Sequence, residues 1–331
     1  MKAIVYEEYG PPEVLKIRNI DKPVPGLHQI LVKVKAASVN FGDLRARNFK
    51  NISAKNFHMH SLFKFIALMM FGFSKPKKRV LGSEFSGVVE SVGSEVSSVK
   101  PGDHVFGYLS ANMGAYQEYL CVDDKICVAV KPPVLSFEEA AVLTYGPVMA
   151  VGVLKNIKIN PGDNVLILGA SGFIGSAALQ ILKSRGAKVT GVCSKNKFDY
   201  VMNLGAENVI EYKNGDYLNS SLKYNLIVDI LGKGDFTKCR NLLKPGGVHL
   251  FISFKTAALF NMIKTRFFGN KKVICKIAIG SRDDFLEAVQ LIENGKIRTG
   301  NLSLFPADDV VDAHRFAEAG KNTGPVVLTF D

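Results

Sequence analysis

The residues Gly169-Ala170-Ser171-Gly172-Phe173-Ile174-Gly175 follow the apolar run Asn164-Val165-Leu166-Ile167-Leu168 and lead directly into a second apolar stretch. A strand ending at Gly169, glycines three apart at 172 and 175, and a helix opening at once form the context in which a glycine-rich turn binds a dinucleotide. In such a turn Gly172 lets the backbone approach a pyrophosphate and Gly175 lets helix and strand pack closely. The amides at the helix N-terminus then face the phosphates. Ala170 replaces the first glycine of the fingerprint, as it does in many NADP-binding turns. Ala170, Ser171, Gly172, Phe173, Ile174 and Gly175 are the candidate cofactor-binding residues of this turn.

The choice of dinucleotide is written about 20 residues further on, where NAD-binding chains carry an acidic residue for the ribose 2′-hydroxyl. Nineteen residues after Gly175 stands Ser194, within Cys193-Ser194-Lys195-Asn196-Lys197. A carboxylate would repel a 2′-phosphate, whereas hydroxyl and ammonium groups bind one. Ser194 with Lys195 or Lys197 therefore points to NADPH. The plainer reading leaves both lysines as solvated surface groups.

The turn needs a sheet to hold it. From about residue 136, strand-like runs at 164–169, 188–193, 208–210, 226–230, 248–253 and 272–279 alternate with helical runs at 176–184, 198–204 and 236–243. That alternation predicts parallel βαβ units, and continuous apolar strands suit a sheet covered on both faces. The first third is different. Short alternating runs at 2–6, 14–18 and 30–36 are broken by Gly10-Pro11-Pro12 and Pro23-Val24-Pro25-Gly26, and further runs follow at 87–92, 104–108 and 115–122. These read as antiparallel strands of a barrel-like domain. The expected class is α/β, a Rossmann doubly wound parallel sheet beside a β-rich barrel. The expected division is 1–125 catalytic, 126–280 dinucleotide-binding and 281–331 returning to the catalytic domain, with a helix over 283–293 and a last strand over 324–330.

At 331 residues the chain exceeds what one core usually organises, and 47% hydrophobic and 22% charged residues describe an ordinary folded protein. The net charge of +12 is spread in singlets and pairs, the densest run being Lys75-Pro76-Lys77-Lys78-Arg79. No nucleic-acid module accompanies it, so no nucleic-acid partner is expected. Five cysteines without a CxxC pair fit a reducing compartment, and the chain opens on a strand rather than a signal segment, so a cytoplasmic location is expected. The apolar run 61–73 is interrupted by Lys64 and is shorter than the ~20 residues that span a bilayer, so integral insertion is not expected. It reads either as a packed helix or as a hydrophobic flap over a substrate cleft, with contact to a membrane surface a third, less favoured reading.

Beyond the glycine turn, a series of motifs resembles the medium-chain dehydrogenase/reductase superfamily in its zinc-free quinone oxidoreductase-like branch. They are Ala36-Ala37-Ser38-Val39-Asn40-Phe41-Gly42-Asp43, Leu81-Gly82-Ser83-Glu84-Phe85-Ser86-Gly87, Val99-Lys100-Pro101-Gly102-Asp103, Gly114-Ala115-Tyr116 and Gly324-Pro325-Val326-Val327-Leu328. The resemblance covers nearly the whole chain and implies a GroES-like fold for the barrel domain. It also implies a metal-free site. Zinc enzymes of the superfamily carry cysteine where this chain has Asn40 and histidine where it has Ser83, and neither replacement is a usual zinc ligand. The four-cysteine lobe is missing as well, since 109–121 holds only Cys121.

Without a Lewis acid, the resemblance implies hydride transfer from NADPH to an acceptor that is already electrophilic, a quinone or an α,β-unsaturated carbonyl. Asn40 and Asp43 are then expected to line the cleft. Asn40 would hydrogen-bond a ribose hydroxyl or substrate carbonyl, and Asp43 would either set the local backbone or cap a helix. Tyr145 is expected on the interdomain helix, as a proton donor or, preferably, as packing. Ser194, Lys195 or Lys197, and Tyr212 resemble the branch's 2′-phosphate set. Residues 44–80 lack the tyrosine of the superfamily's enoyl-thioester reductases, which argues against a thioester substrate. A homodimer through the edge strand near 273–279 is implied too. Set against the reductase is a non-catalytic NADPH-binding sensor that keeps the turn and has lost the chemistry; a zinc alcohol dehydrogenase with unrecognised ligands ranks third.

Overall fold

Six strands lie parallel in the order Asn208–Glu211, Lys188–Cys193, Asn164–Leu168, Tyr224–Asp229, Leu243–Phe251 and Lys272–Cys275. The strand carrying the glycine turn is the first of them in the chain and lies third in the sheet. Its neighbours are the second and fourth, so the strand order reverses beside it. Ligands of doubly wound sheets bind at such a switch point, outside the carboxyl ends of the strands. The computed structural model describes residues 1–53, 61–213 and 215–331; of the interval 44–80 singled out above, 54–60 lie outside the described residues.

The second sheet is mixed. Its strands run Ser303–Pro306, Val326–Thr329, Gln29–Val39, Glu84–Val92, His104–Tyr108 and Cys127–Val130, and Tyr119–Asp123 also pairs with Gln29–Val39. The 11-residue strand Gln29–Val39 takes partners from three parts of the chain, with register shifts against Glu84–Val92 that let it bend. Lys2–Val5 and Lys16–Asn19 form a separate hairpin pair.

Cys127–Val130 pairs with His104–Tyr108, so the mixed sheet runs past the expected boundary at 125. The helix Arg282–Glu293 packs both on the interdomain helix Tyr145–Leu154 and on Cys127–Val130 of the mixed sheet. The strand expected over 272–279 ends at Cys275.

One core continues across the two sheets. Phe106 of the mixed sheet meets Phe285 of the Arg282–Glu293 helix with ring centres 5.9 Å apart. The segment Phe137–Leu154 has the length and apolarity of a membrane span, but 72% of it is buried within the protein, as a core helix would be.

Candidate functional site

The glycine turn folds as its residue types dictate. Gly169 sits at φ +93°, a region side chains avoid, and its amide and that of Ala170 both donate to the Val192 carbonyl at 3.0 and 3.1 Å. The helix Phe173–Ser184 starts at once. A Cβ on Gly175 would lie 2.1 Å from the Gly169 carbonyl oxygen, so only glycine closes the helix onto the strand. A Cβ on Gly172 would meet nothing nearer than 3.6 Å. That side is open, and no side chain caps the helix N-terminus. An uncapped, positively polarised helix end above a bare backbone suits a pyrophosphate. Ala170 and Ile174 face inward and pack, while Ser171 and Phe173 are half-buried.

The neighbouring strand Lys188–Cys193 delivers the second cluster. Ser194 and Lys197 are half-buried, Lys195 is exposed, and burial lowers the Lys197 pKa. Ser194, Lys195, Asn196, Glu211 and Lys213 surround one open depression. Tyr212 is 53% exposed beside it, its amide donating to the Cys193 carbonyl at 3.1 Å. Ser194, Lys195 and Tyr212 thus come together at the carboxyl ends of two strands. Glu211, which the sequence reading passed over, brings a carboxylate to the same depression.

In the mixed sheet, Asn40 and Asp43 are spent internally. Asn40 caps the helix Phe41–Arg47, its Oδ1 accepting from the Gly42 and Asp43 amides at 2.8 and 3.3 Å. Asp43 returns the bond, Oδ2 accepting from the Asn40 amide at 3.1 Å, while Oδ1 accepts from the Gly82 amide at 3.1 Å. This is a reciprocal capping box that also pins the Gly82 loop. Asn40 Nδ2 donates to Ser83 Oγ at 2.7 Å and reaches Glu84 Oε2 at 3.1 Å. With its amide fully engaged and 1% exposed, Asn40 has no group left for a ribose or a carbonyl, contrary to the sequence expectation. Of the two roles open to Asp43, the structure takes the cap. Burial pushes its carboxyl up to about 7, with the nearby Glu84 charge adding and the two amides opposing.

Glu84 is the residue that sequence reasoning missed. Fully buried, it accepts from Thr144 Oγ1 at 2.8 Å and the Tyr145 amide at 2.6 Å through Oε1, and from Ser38 and Asn40 through Oε2. It therefore ties the capping box to the interdomain helix. The available signal was a carboxylate at the start of Glu84–Val92, a strand whose first four residues are all buried. Burial raises its pKa, opposed by those four donors.

Tyr145, so held at its amide, lies between the two halves. Its ring centre is 5.7 Å from Tyr108 on the mixed sheet and 6.4 Å from Phe173 on the turn helix. The backbones come closer still: a Cβ on Gly146 would be 2.3 Å from the Phe173 carbonyl oxygen. Burial, with the Glu84 and Asp43 charges behind it, pushes the Tyr145 hydroxyl up to about 12. A second missed carboxylate, Asp229, shapes the loop facing the turn. Its oxygens accept from the Leu231, Gly232 and Gly234 amides at 3.2, 2.8 and 2.7 Å, and the Leu231 side chain closes on Gly169.

The donor set does not fit zinc. Where the superfamily's zinc enzymes carry cysteine and histidine, an amide and a hydroxyl are hydrogen-bonded to each other. The turn does fit a dinucleotide, on the evidence of the open Gly172 and the close-packed Gly175.

Residues 26–132 match the alcohol dehydrogenase GroES-like domain, and residues 204–328 match a domain described as zinc-binding dehydrogenase. The chain is 30% identical to 2-methylene-furan-3-one reductase of Solanum lycopersicum, across 99% of this chain and 79% of the relative. It is equally similar, over the same shares, to the chloroplastic NADPH-dependent alkenal/one oxidoreductase of Arabidopsis thaliana. The quinone oxidoreductase of Coxiella burnetii superposes over 100% of this chain and 99% of its own, with a TM-score of 0.81 and 27% identity. A glycine turn at the switch point of a parallel sheet, a GroES-like mixed sheet against it and these full-length likenesses place the chain in the medium-chain dehydrogenase/reductase superfamily, in its quinone oxidoreductase-like branch.

Proposed function

We propose that this chain is an NADPH-dependent, zinc-independent reductase of quinones or α,β-unsaturated carbonyls. One observation carries the reading: Glu84 joins the Asn40–Ser83 pair to the backbone of Tyr145, whose ring lies 6.4 Å from Phe173 of the dinucleotide turn. The GroES-like site and the cofactor turn are thereby held against each other, and positions 40 and 83 offer an amide and a hydroxyl rather than Cys/His ligands for a Lewis acid. The relatives named for enone and quinone reduction support the substrate class.

The bound nicotinamide supplies the hydride, and the residues of the chain do the rest. Gly172 and the helix amides bind the pyrophosphate; Ser194 and Lys195 or Lys197, with Tyr212 beside them, bind the 2′-phosphate. Asn40, Asp43 and Glu84 are positioning residues that fix the loop 38–43 against the interdomain helix. Tyr145 keeps its proton over the whole working range of pH; that raised pKa makes it a weak general acid, so its part is to pack between the two halves. Tyr108, Tyr145 and Phe173 form an aromatic wall that keeps water from the reacting atoms.

Loss of the reduced-nicotinamide absorbance with small quinones, enones and enals tests the reading, with NADH run in parallel and the metal content of the purified protein measured. Tight NADPH binding without turnover on any such acceptor would transfer the assignment to a non-catalytic NADPH-binding protein. The same proposal includes a homodimer through the free edge of Lys272–Cys275, checked by sedimentation equilibrium. It also includes a cytoplasmic location, which the five free cysteines support.

A further inference from the structure

The net charge of +12 is localised, although it looks scattered along the sequence. Between Asp43 and Glu84 stand nine lysines and arginines and no acidic residue; residues 236–281 again hold nine and none. Eighteen of the 42 basic residues lie in these two stretches, and the rest of the chain sets 24 against 30 acidic residues. The excess positive charge thus belongs entirely to two segments.

Each segment carries an apolar helix with an outward apolar stripe. On Ser61–Phe71 the exposed positions include Phe65, Ile66 and Met69, 54%, 43% and 53% accessible. On Thr256–Phe267 they include Phe260, Ile263 and Phe267, 69%, 59% and 72% accessible. Both follow helical spacing, and here the apolar face looks outward. The helices also belong to one face: Phe63 of the first joins Leu259 and Met262 of the second on a single cluster and packs edge-on to Phe254 at 6.3 Å. Exposed lysines and arginines flank both stripes, with Lys75, Lys77, Lys78 and Arg79 after the first helix and Lys264 and Arg266 on the last turn of the second. Among the described residues, none of these six pairs with a carboxylate.

We propose that this face docks on an anionic lipid surface, with the two helices lying in the interface. An 11-residue helix is about 16 Å long, half of the ~30 Å hydrocarbon thickness, so it lies along the membrane and does not cross it. Large apolar side chains within a basic rim match the acyl boundary and the anionic headgroups respectively. A second copy of the chain is the wrong occupant electrostatically, because two such faces would bring like charges together. Phe254 follows the strand Leu243–Phe251 at its carboxyl end, so the docked face borders the cleft and an acceptor dissolved in the bilayer would have a short path to it; that last step rests on the reductase reading.

Sedimentation of the full chain with vesicles tests the docking. It is expected to sediment with phosphatidylcholine vesicles containing about a third phosphatidylglycerol, to stay in solution with phosphatidylcholine alone, and to be released near ~1 M salt, where screening acts within ~3 Å. Lys75→Gln with Lys78→Gln is expected to lower the partition coefficient about fivefold per charge. Phe65→Ser with Phe260→Ser is expected to lower it at least tenfold, with NADPH affinity and far-ultraviolet dichroism reporting that the fold is retained. No binding to the anionic vesicles at low salt overturns the proposal, as does equal binding to both compositions. Conversion of a dimer to a monomer by the Phe65→Ser and Phe260→Ser changes also overturns it, because the face would then join two copies. The lysine variants change only exposed groups, so they decide the matter even where the aromatic variants fail to fold. Vesicle binding needs no turnover, so its failure and a failure of NADPH oxidation are separate results.

Discussion

Gly175 has no room for a side chain. A methyl group there would sit 2.1 Å from the Gly169 oxygen, and relieving it means moving the helix that carries the phosphate-binding amides. Gly175→Ala is expected to cost about 1–3 kcal/mol of stability and to remove measurable NADPH binding in a fluorescence titration. Glu84→Gln keeps the shape but exchanges one acceptor oxygen for a donor that faces other donors. With four donors converging on that carboxylate, the expected cost is about 1–3 kcal/mol in thermal unfolding, with a fall in kcat that KM does not share. At Lys195 the expected outcome separates the two cofactors. Lys195→Glu should raise KM for NADPH at least tenfold, on about 1.5–3 kcal/mol for a charge-assisted bond, and leave NADH unaffected. Equal effects on both would mean that Lys195 is a solvated surface lysine.

The elements that hold the site are joined through a buried arginine. Arg47, at the end of the helix whose start is the Asn40–Asp43 box, donates to the Gly10 carbonyl at 3.1 Å. It donates also to His314 Nδ1 at 2.8 Å and pairs with Glu318 on the helix Val310–Glu318. His314 must stay neutral to accept that bond, and burial together with the Arg47 charge lowers its pKa to about 3. The unfolded chain takes up a proton near 6.5 that the folded chain refuses, so stability is present above 6.5 and is lost as pH falls toward 3. Asp43 works in the opposite sense: its pKa, raised to about 7, makes its contribution largest below 3.8 and lost as pH rises through 7. Melting temperatures between pH 4 and 7 should therefore separate two variants. His314→Gln is expected to weaken the acid-side loss, and Asp43→Asn to weaken the loss on the alkaline side. Parallel shifts of the whole profile in both variants would show that neither group titrates as described.

For the molecule as a whole, the expectation concerns metal. Turnover on a quinone or enone should survive exhaustive chelation unchanged, and purified protein should hold well under one zinc per chain. Asn40 and Ser83 satisfy each other, and among the described residues no Cys/His cluster could hold a metal ion. Loss of activity on chelation, restored by zinc, would overturn the zinc-independent reading and bring the chain nearer to the domain description matched by residues 204–328.

Local signals carried much of the structure. The turn from Gly169 to Gly175 was legible because Gly169 takes a left-handed φ and Gly175 has no room for a Cβ, and the parallel sheet because its strands are buried on both faces and so are largely apolar. The short elements were not. Cys127–Val130 has only four residues and no alternation of buried and exposed positions to distinguish it from a loop, and Val310–Glu318 opens directly from a single 3-10 turn after Pro306. The outward stripes of Ser61–Phe71 and Thr256–Phe267 were beyond sequence reading for another reason: periodicity gives the spacing of a face and leaves open which way it points.

By itself, then, the sequence determined the cofactor turn, the two-domain class and the absence of the usual zinc ligand types at 40 and 83, because each is carried by residue types and their spacing along the chain. Tertiary structure decided what those residues touch. Asn40 and Asp43 read as cleft-lining groups, with a cap as the alternative for Asp43; the fold shows the two joined in a capping box and Asn40 tied to Glu84, 44 positions further along the chain. The reason is physical. A buried polar group takes whichever partner the packing brings within about 3 Å, and no rule of spacing along the chain names that partner.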